Sequence, residues 1–180
     1  MREYHEPRER PAAAVQDTVR KIVERFELQP HPEGGYFREI HRSTLMLEHP
    51  GVDGAHRCGS TLIYFLLAER DFSAFHRVRA SDEVWHLYGG GPLELHTIDT
   101  TSGRYARQDL SHDLERGEPV AVVSAGCWQA ARLAPGAGFA LCGCTVAPGF
   151  DFADFEMPPA QELVARFPAH ERIIRELTRR

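Results

Sequence analysis

From Ala12 to Phe26 the apolar residues Val15, Val19, Ile22, Val23 and Phe26 recur at spacings of four, three, one and three, which gathers them on one stripe of a helix. The stripe predicts a helix packed on the rest of the chain and closed off by Pro30 and Pro32. After Gly34-Gly35, the run Tyr36-Phe37-Arg38-Glu39-Ile40 reads as a first strand. Leu45 to Gly59 has little periodicity, carries Pro50, Gly51 and Gly54, and reads as a surface loop.

Beyond it the pattern changes to short strands separated by turn residues. The segments 61–67, 72–79, 83–88, 93–99, 103–110, 120–123, 127–133 and 139–146 all fit, with turns at such places as Ser81-Asp82, Gly89 to Pro92 and Ala125-Gly126. The gaps are too short for crossover helices, so the sheet is antiparallel, and an eight-strand jelly roll is the economical all-β architecture. The tail from Pro159 to Thr178 carries Leu163, Phe167, Ile173, Ile174 and Leu177, enough for one or two closing helices interrupted at Pro168. The expected organisation is an N-terminal helical segment over 1–27, a β domain over 28–157 and a helical tail over 158–180.

A chain of 180 residues, 42% hydrophobic and 26% charged, has the composition of one soluble domain. It has no apolar run near the roughly 20 residues that cross a bilayer. Residues 1–10 are charged where an export signal is apolar, so no membrane partner and a cytoplasmic location are expected. A formal charge of −5 argues against nucleic acid as a partner. The four cysteines, Cys58, Cys127, Cys142 and Cys144, lack paired zinc-site spacing and read as buried thiols, with Cys142 and Cys144 on one side of a strand.

Several segments, in order, carry a family resemblance. They are Pro30-His31-Pro32-Glu33-Gly34-Gly35-Tyr36-Phe37, Thr61 to Leu67, Phe75-His76-Arg77, Asp82-Glu83-Val84-Trp85-His86, Gly126-Cys127-Trp128-Gln129-Ala130 and Val146-Ala147-Pro148-Gly149-Phe150. Together they span about Leu28 to Glu156, and the chain resembles the cupin superfamily, more narrowly a cupin-5 type, sugar-epimerase-like branch of unknown function. The resemblance implies a double-stranded β-helix barrel with a small-molecule pocket in its mouth, and a homodimer. Against the first cupin motif, His76, Glu83 and Gly90 agree, while Val78 stands where a second metal-binding His is usual. In the second motif Gly126 is kept and Gln129 replaces the metal-binding His. Two of the four usual ligands are thus missing, and no cofactor is expected. A divalent metal on His76, Glu83 and Gln129 is the alternative, with Gln129 offering only a neutral amide oxygen.

The catalytic candidates are His76 and Glu83, as a proton-transfer pair. Glu83 and His86 are three apart, so a regular strand aims only one inward; Glu83 is ranked as that group and His86 as a rim candidate. Tyr36, Tyr64 and Tyr88 are candidate acids, Arg38 a candidate anion ligand and Gln129 a further binding candidate. Packing and surface salt bridges are the plain alternative for the tyrosines and Arg38, and a buried structural pair the plain alternative for His76 and Glu83. Trp85 and Trp128 read as packing surfaces. His31, His41, His49, His56, His96, His112 and His170 carry no assigned role. Three functions follow: a metal-independent sugar isomerase or epimerase, a non-catalytic binding module, and a metal-dependent enzyme.

Overall fold

The computed structural model describes residues 12–49, 51–68 and 71–179. Its strands are β1 (Gln29–Pro30), β2 (Tyr36–Arg42), β3 (Met46–Glu48), β4 (His56–Cys58), β5 (Thr61–Ala68), β6 (Phe72–Val78) and β7 (Asp82–Gly90). They continue with β8 (Leu93–Ile98), β9 (Tyr105–Leu110), β10 (Val120–Val123), β11 (Trp128–Leu133), β12 (Phe139–Ala147) and β13 (Phe155–Glu156). One sheet has the order β1-β2-β5-β12-β7-β10 and the facing sheet the order β13-β6-β11-β8-β9. Every pairing between these strands is antiparallel. Neighbours in space are far apart in sequence, as β12 between β5 and β7 shows, and this crossing of the chain between two layers is the jelly roll the strand count predicts.

Period-two alternation decides what enters the space between the sheets. Along β7, Glu83, Trp85 and Leu87 are buried while Val84, His86 and Tyr88 are not. Phe65, Leu67, Trp85, Leu87, Leu93, Leu95 and Leu110 build one core cluster. Trp85 meets Phe65 edge-on with ring centroids 5.4 Å apart. That core fills one part of the barrel and leaves the other part open as a cavity.

A second cluster lies on the outer face of the second sheet. There Phe75, Ile98, Trp128 and Ala130 meet Leu163, Phe167, Ile174 and Leu177 from the tail helices α2 (Ala160–Arg166) and α3 (Glu171–Glu176). Trp128 points outward while its neighbour Gln129 points inward, as the strand period requires. The N-terminal helix α1 (Ala12–Phe26) matches the expected span, but none of its residues is fully buried. Its Val15 lies over Gly138, where any Cβ would collide, and Phe26 rests on Tyr64 at 4.8 Å between centroids. None of the described helices is long and apolar enough to cross a membrane.

The expected loop over 45–59 contains the hairpin β3–β4, with strands of three residues each. Strands so short show no alternation, so the sequence pattern could not register them. A buried carboxylate helps to tie the hairpin down: Asp154 accepts from Arg57 Nε at 2.7 Å and pairs with His49 Nε2 at 3.0 Å, with Arg79 3.6 Å away. Arg57 and Asp154 hold this joint with side chains largely or wholly out of water.

At the end of β7, Gly90 has φ +72°, and a Cβ there would fall on the Phe139 carbonyl oxygen of the paired strand. Gly90→Ala therefore combines left-handed backbone strain with a backbone collision. It is expected to cost at least about 2 kcal/mol, read as a lower urea midpoint at unchanged slope.

Candidate functional site

The open part of the barrel is a cavity of about 330 Å³, within the size range of small-molecule sites. Its walls come from both sheets and from the segment after β12. Phe37, Ile63, Phe65 and Phe155 supply apolar wall, and Glu33, His76 and Glu83 supply the buried polar groups.

Each polar group is placed by a local device. His76 sits on β6 with Val78, and both face the cavity. Its Nδ1 lies 2.8 Å from the carbonyl oxygen of Ala74, so Nδ1 carries the proton and Nε2 keeps its lone pair. That Nε2 has no hydrogen-bond partner among the described residues, and His76 is 2% exposed. Phe155 stacks on the imidazole with centroids 5.3 Å apart.

Glu33 arrives from the turn between β1 and β2. Gly34 and Gly35, both at positive φ, let the chain reverse, and Asp71 accepts from the Gly35 amide at 2.6 Å. Ala74 N–H donates to the Glu33 carbonyl at 2.8 Å, docking the turn on β6. The Glu33 carboxyl then accepts from Ser73 Oγ at 2.9 Å, with His76 Nδ1 at 3.3 Å and His31 Nδ1 at 3.5 Å. Glu33 thus stands behind the His76 ring.

Glu83 is oriented from the opposite side. Trp85 Nε1 is a donor and nothing else, so the Gln129 atom 2.9 Å from it is the amide oxygen. The Gln129 NH2 group must then face Glu83, to which it donates at 2.6 Å. Both ends of the Gln129 amide are engaged by protein, and Gln129 is not part of the cavity wall.

Burial of these side chains pushes each of them toward its neutral form. Burial raises Glu33 to about 7, against the opposing pull of His31, Ser73 and Arg179. Burial also raises Glu83, with the nearby Glu33 charge adding to it and His76 opposing it. The His76 and His31 imidazoles are both lowered, chiefly by burial. Cys144, which lines the cavity beside Glu83, is held well above the usual thiol range by burial.

A metal of the kind cupins carry does not suit this donor set. Val78 offers an apolar side chain, and the Gln129 oxygen is committed to Trp85. Among the described residues, no group of three His, Cys, Asp or Glu side chains is arranged to hold an ion.

Of the sequence candidates, His76 and Glu83 come together in the cavity. Tyr64, His86 and Tyr88 do not, because they alternate with inward residues and lie on the outer face. There Tyr64 and Tyr88 meet edge-on at 6.2 Å, and His86 Nε2 is 3.3 Å from Thr145 Oγ1. Arg38 is likewise on the far side of β2 from Phe37 and Glu39, paired with Glu27 at 2.7 Å, and Tyr36 borders a separate shallow groove. None of these five expected binding positions borders the cavity, and Gln129, although it points inward, is spent on Trp85 and Glu83.

The groups that sequence reasoning missed are His31, Glu33 and Arg42. His31 and Glu33 sit in a quoted motif, and their burial inside a Pro- and Gly-rich turn was the signal left unused. Arg42 reaches the cavity because β2 bulges between Glu39 and His41, which shifts the inward parity by one residue. Its guanidinium is already engaged: Nε and Nη2 donate to Glu39 at 2.9 and 2.7 Å, and Nη1 donates to the Phe150 carbonyl at 3.2 Å.

The cupin superfamily model of the DUF985 family matches residues 20–158, and the chain belongs to that family. An uncharacterized protein of Saccharomyces cerevisiae, YML079W, is 30% identical over 157 residues, covering 80% of this chain and 77% of that protein. A hypothetical protein from Leishmania major superposes with a TM-score of 0.81 at 34% identity, over 88% of this chain and 97% of that one. Protein SO0799 from Shewanella oneidensis gives 0.78 at 34% identity, over 88% and 96%. The family is thereby shown, and with it a cupin fold.

Two outcomes test this geometry. Glu33 binds its proton more tightly in the folded chain than in the unfolded one, so its contribution to stability declines as pH rises from about 4.5 to about 7. Glu33→Gln removes that dependence; the wild type is expected to lose on the order of 3 kcal/mol relative to the variant across this window, measured by urea unfolding at pH 5 and pH 8. Gln129→Leu strands both the Trp85 N–H and the Glu83 carboxyl, at a cost of about 2 to 4 kcal/mol in the same assay.

Proposed function

We propose that the cavity is the active site of a metal-independent isomerase or epimerase acting on a sugar or similar hydroxylated metabolite. One observation supports this reading above the others: an imidazole with a free lone pair shares a cavity with two buried carboxyl groups that burial pushes toward their protonated forms. Epimerisation beside a carbonyl removes a proton from carbon on one face and returns one on the other. His76 Nε2 is suited to take that proton. Glu83, pushed toward its protonated form by burial, is suited to give one back or to hold the developing oxygen charge. Glu33 is a positioning residue, placed behind the imidazole where it favours the Nδ1-protonated tautomer and stabilises the imidazolium once formed. The phenylalanine walls suit the C–H face of a sugar ring. Non-catalytic binding is the second reading, favoured by the same apolar walls.

The test is solvent exchange. The chain is incubated in D2O with keto sugars, nucleotide sugars and sugar acids, and deuterium at substrate carbon is read by NMR. Deuterium is expected to enter one of these, to be unaffected by chelator, and to slow about 100-fold or more in His76→Ala and in Glu83→Gln. Binding of a compound without any exchange would establish the non-catalytic reading instead.

A further inference from the structure

The charge balance of the cavity wall is one-sided. Among the described residues, Glu33, Glu39, Glu83 and Asp151 line it, against a single arginine, Arg42. Arg42 and Glu39 cancel one another through two parallel hydrogen bonds. His31 and His76 are neutral, as burial dictates. Glu33 and Glu83 are therefore left buried, at 5% and 7% exposure, without a paired cation among the described wall residues; Arg179, which acts on Glu33 from outside the wall, donates to the Glu33 carbonyl and to Asp71 rather than to the carboxyl.

The hydrogen-bonding inventory has the same bias. His76 Nε2 faces the cavity as a bare acceptor. Glu33 and Glu83 each keep oxygen lone pairs beyond those that Ser73 and Gln129 use. His31 accepts from the Glu33 amide through Nδ1 at 3.3 Å, which leaves its Nε2–H as a donor beside the Thr61 hydroxyl and the Cys144 thiol. A ligand that satisfies such a wall brings several N–H donors and, because these buried carboxyls ionise readily only when a counter-charge is supplied, a positive charge. Aromatic faces next to those carboxyls favour the same species, since a cation is attracted to a ring face. A carboxylate or phosphate entering here would find a spent guanidinium and would be repelled by Glu33 or Glu83 whenever either ionises.

We propose that this cavity receives an organic ammonium ion, with Glu33, Glu83 and His76 Nε2 accepting from the amine and Phe37, Phe65 and Phe155 enclosing its ring or chain. The inference concerns the same cavity as the proposed isomerase but rests on binding alone. Among hydroxylated substrates it favours amino-bearing ones over sugar acids and nucleotide sugars.

The test holds the ligand body constant and changes only its charge. Cyclohexylamine, cyclohexanol and cyclohexanecarboxylate are titrated calorimetrically into the full chain near neutral pH. The amine is expected to bind at least about tenfold tighter than either of the others, and Glu33→Gln and Glu83→Gln should each remove most of that preference. Equal or tighter binding of the alcohol or the carboxylate, no binding of the amine, or a preference that survives both substitutions overturns the proposal. A wild-type measurement guards against variants that unfold. Binding a cation favours ionised Glu33, so amine affinity should rise with pH through about 7 and binding should release protons to buffer. A flat pH series would overturn the proposal as well. Deuterium exchange plays no part in these readouts, so failure here leaves the isomerase reading standing, and the reverse is also true.

Discussion

A single hydrogen bond, from the Trp85 indole to the Gln129 amide oxygen, sets the terms for the whole cavity. Because indole can only donate, the amide has one orientation, and its NH2 group is committed to Glu83. That commitment fixes the Glu83 carboxyl, removes an oxygen that a metal would need, and leaves His76 as the imidazole with an unspent lone pair. A core packing residue and a polar site are thus one unit. The indole that fills the apolar half of the barrel against Phe65 also orients the groups at the boundary of its open half.

Loss of water does the rest. In a solvated cleft Glu33, Glu83 and two histidines would form ordinary ion pairs. Here burial drives acids up and imidazoles down, so proton positions are decided by small differences between neighbours. This makes the site suited to moving protons and to receiving a charge from outside, and those two capacities underlie the two proposals made for it.

Much of the fold was legible because alternation is a strong signal when one sheet face is wet and the other dry. The spans of β5 to β8 and β10 to β12 follow directly from it, and so does the inward choice of Glu83 over His86. The cavity was less legible, for three physical reasons. A bulge at Ile40 reverses inward parity without any composition cue, which hides Arg42. Glu33 is buried by a turn whose proline and glycine content advertises a surface loop. Phe155 covers His76 from a two-residue strand too short to have a period. Alternation also shows why Tyr64, Tyr88 and Arg38 were misplaced: residue type suggested chemistry, whereas their parity put them on the outer face.

The Asp154 joint links two distant stretches of chain. Phe152 and Phe155, on either side of this carboxylate, form part of the cavity rim, while His49 and Arg57 belong to the hairpin that grips it. Rim and hairpin are consequently braced against each other, by this side chain and by the Gly149 N–H donating to the Cys58 carbonyl at 2.6 Å. The mouth of the cavity is thus shaped in part by a hairpin built far upstream in the sequence.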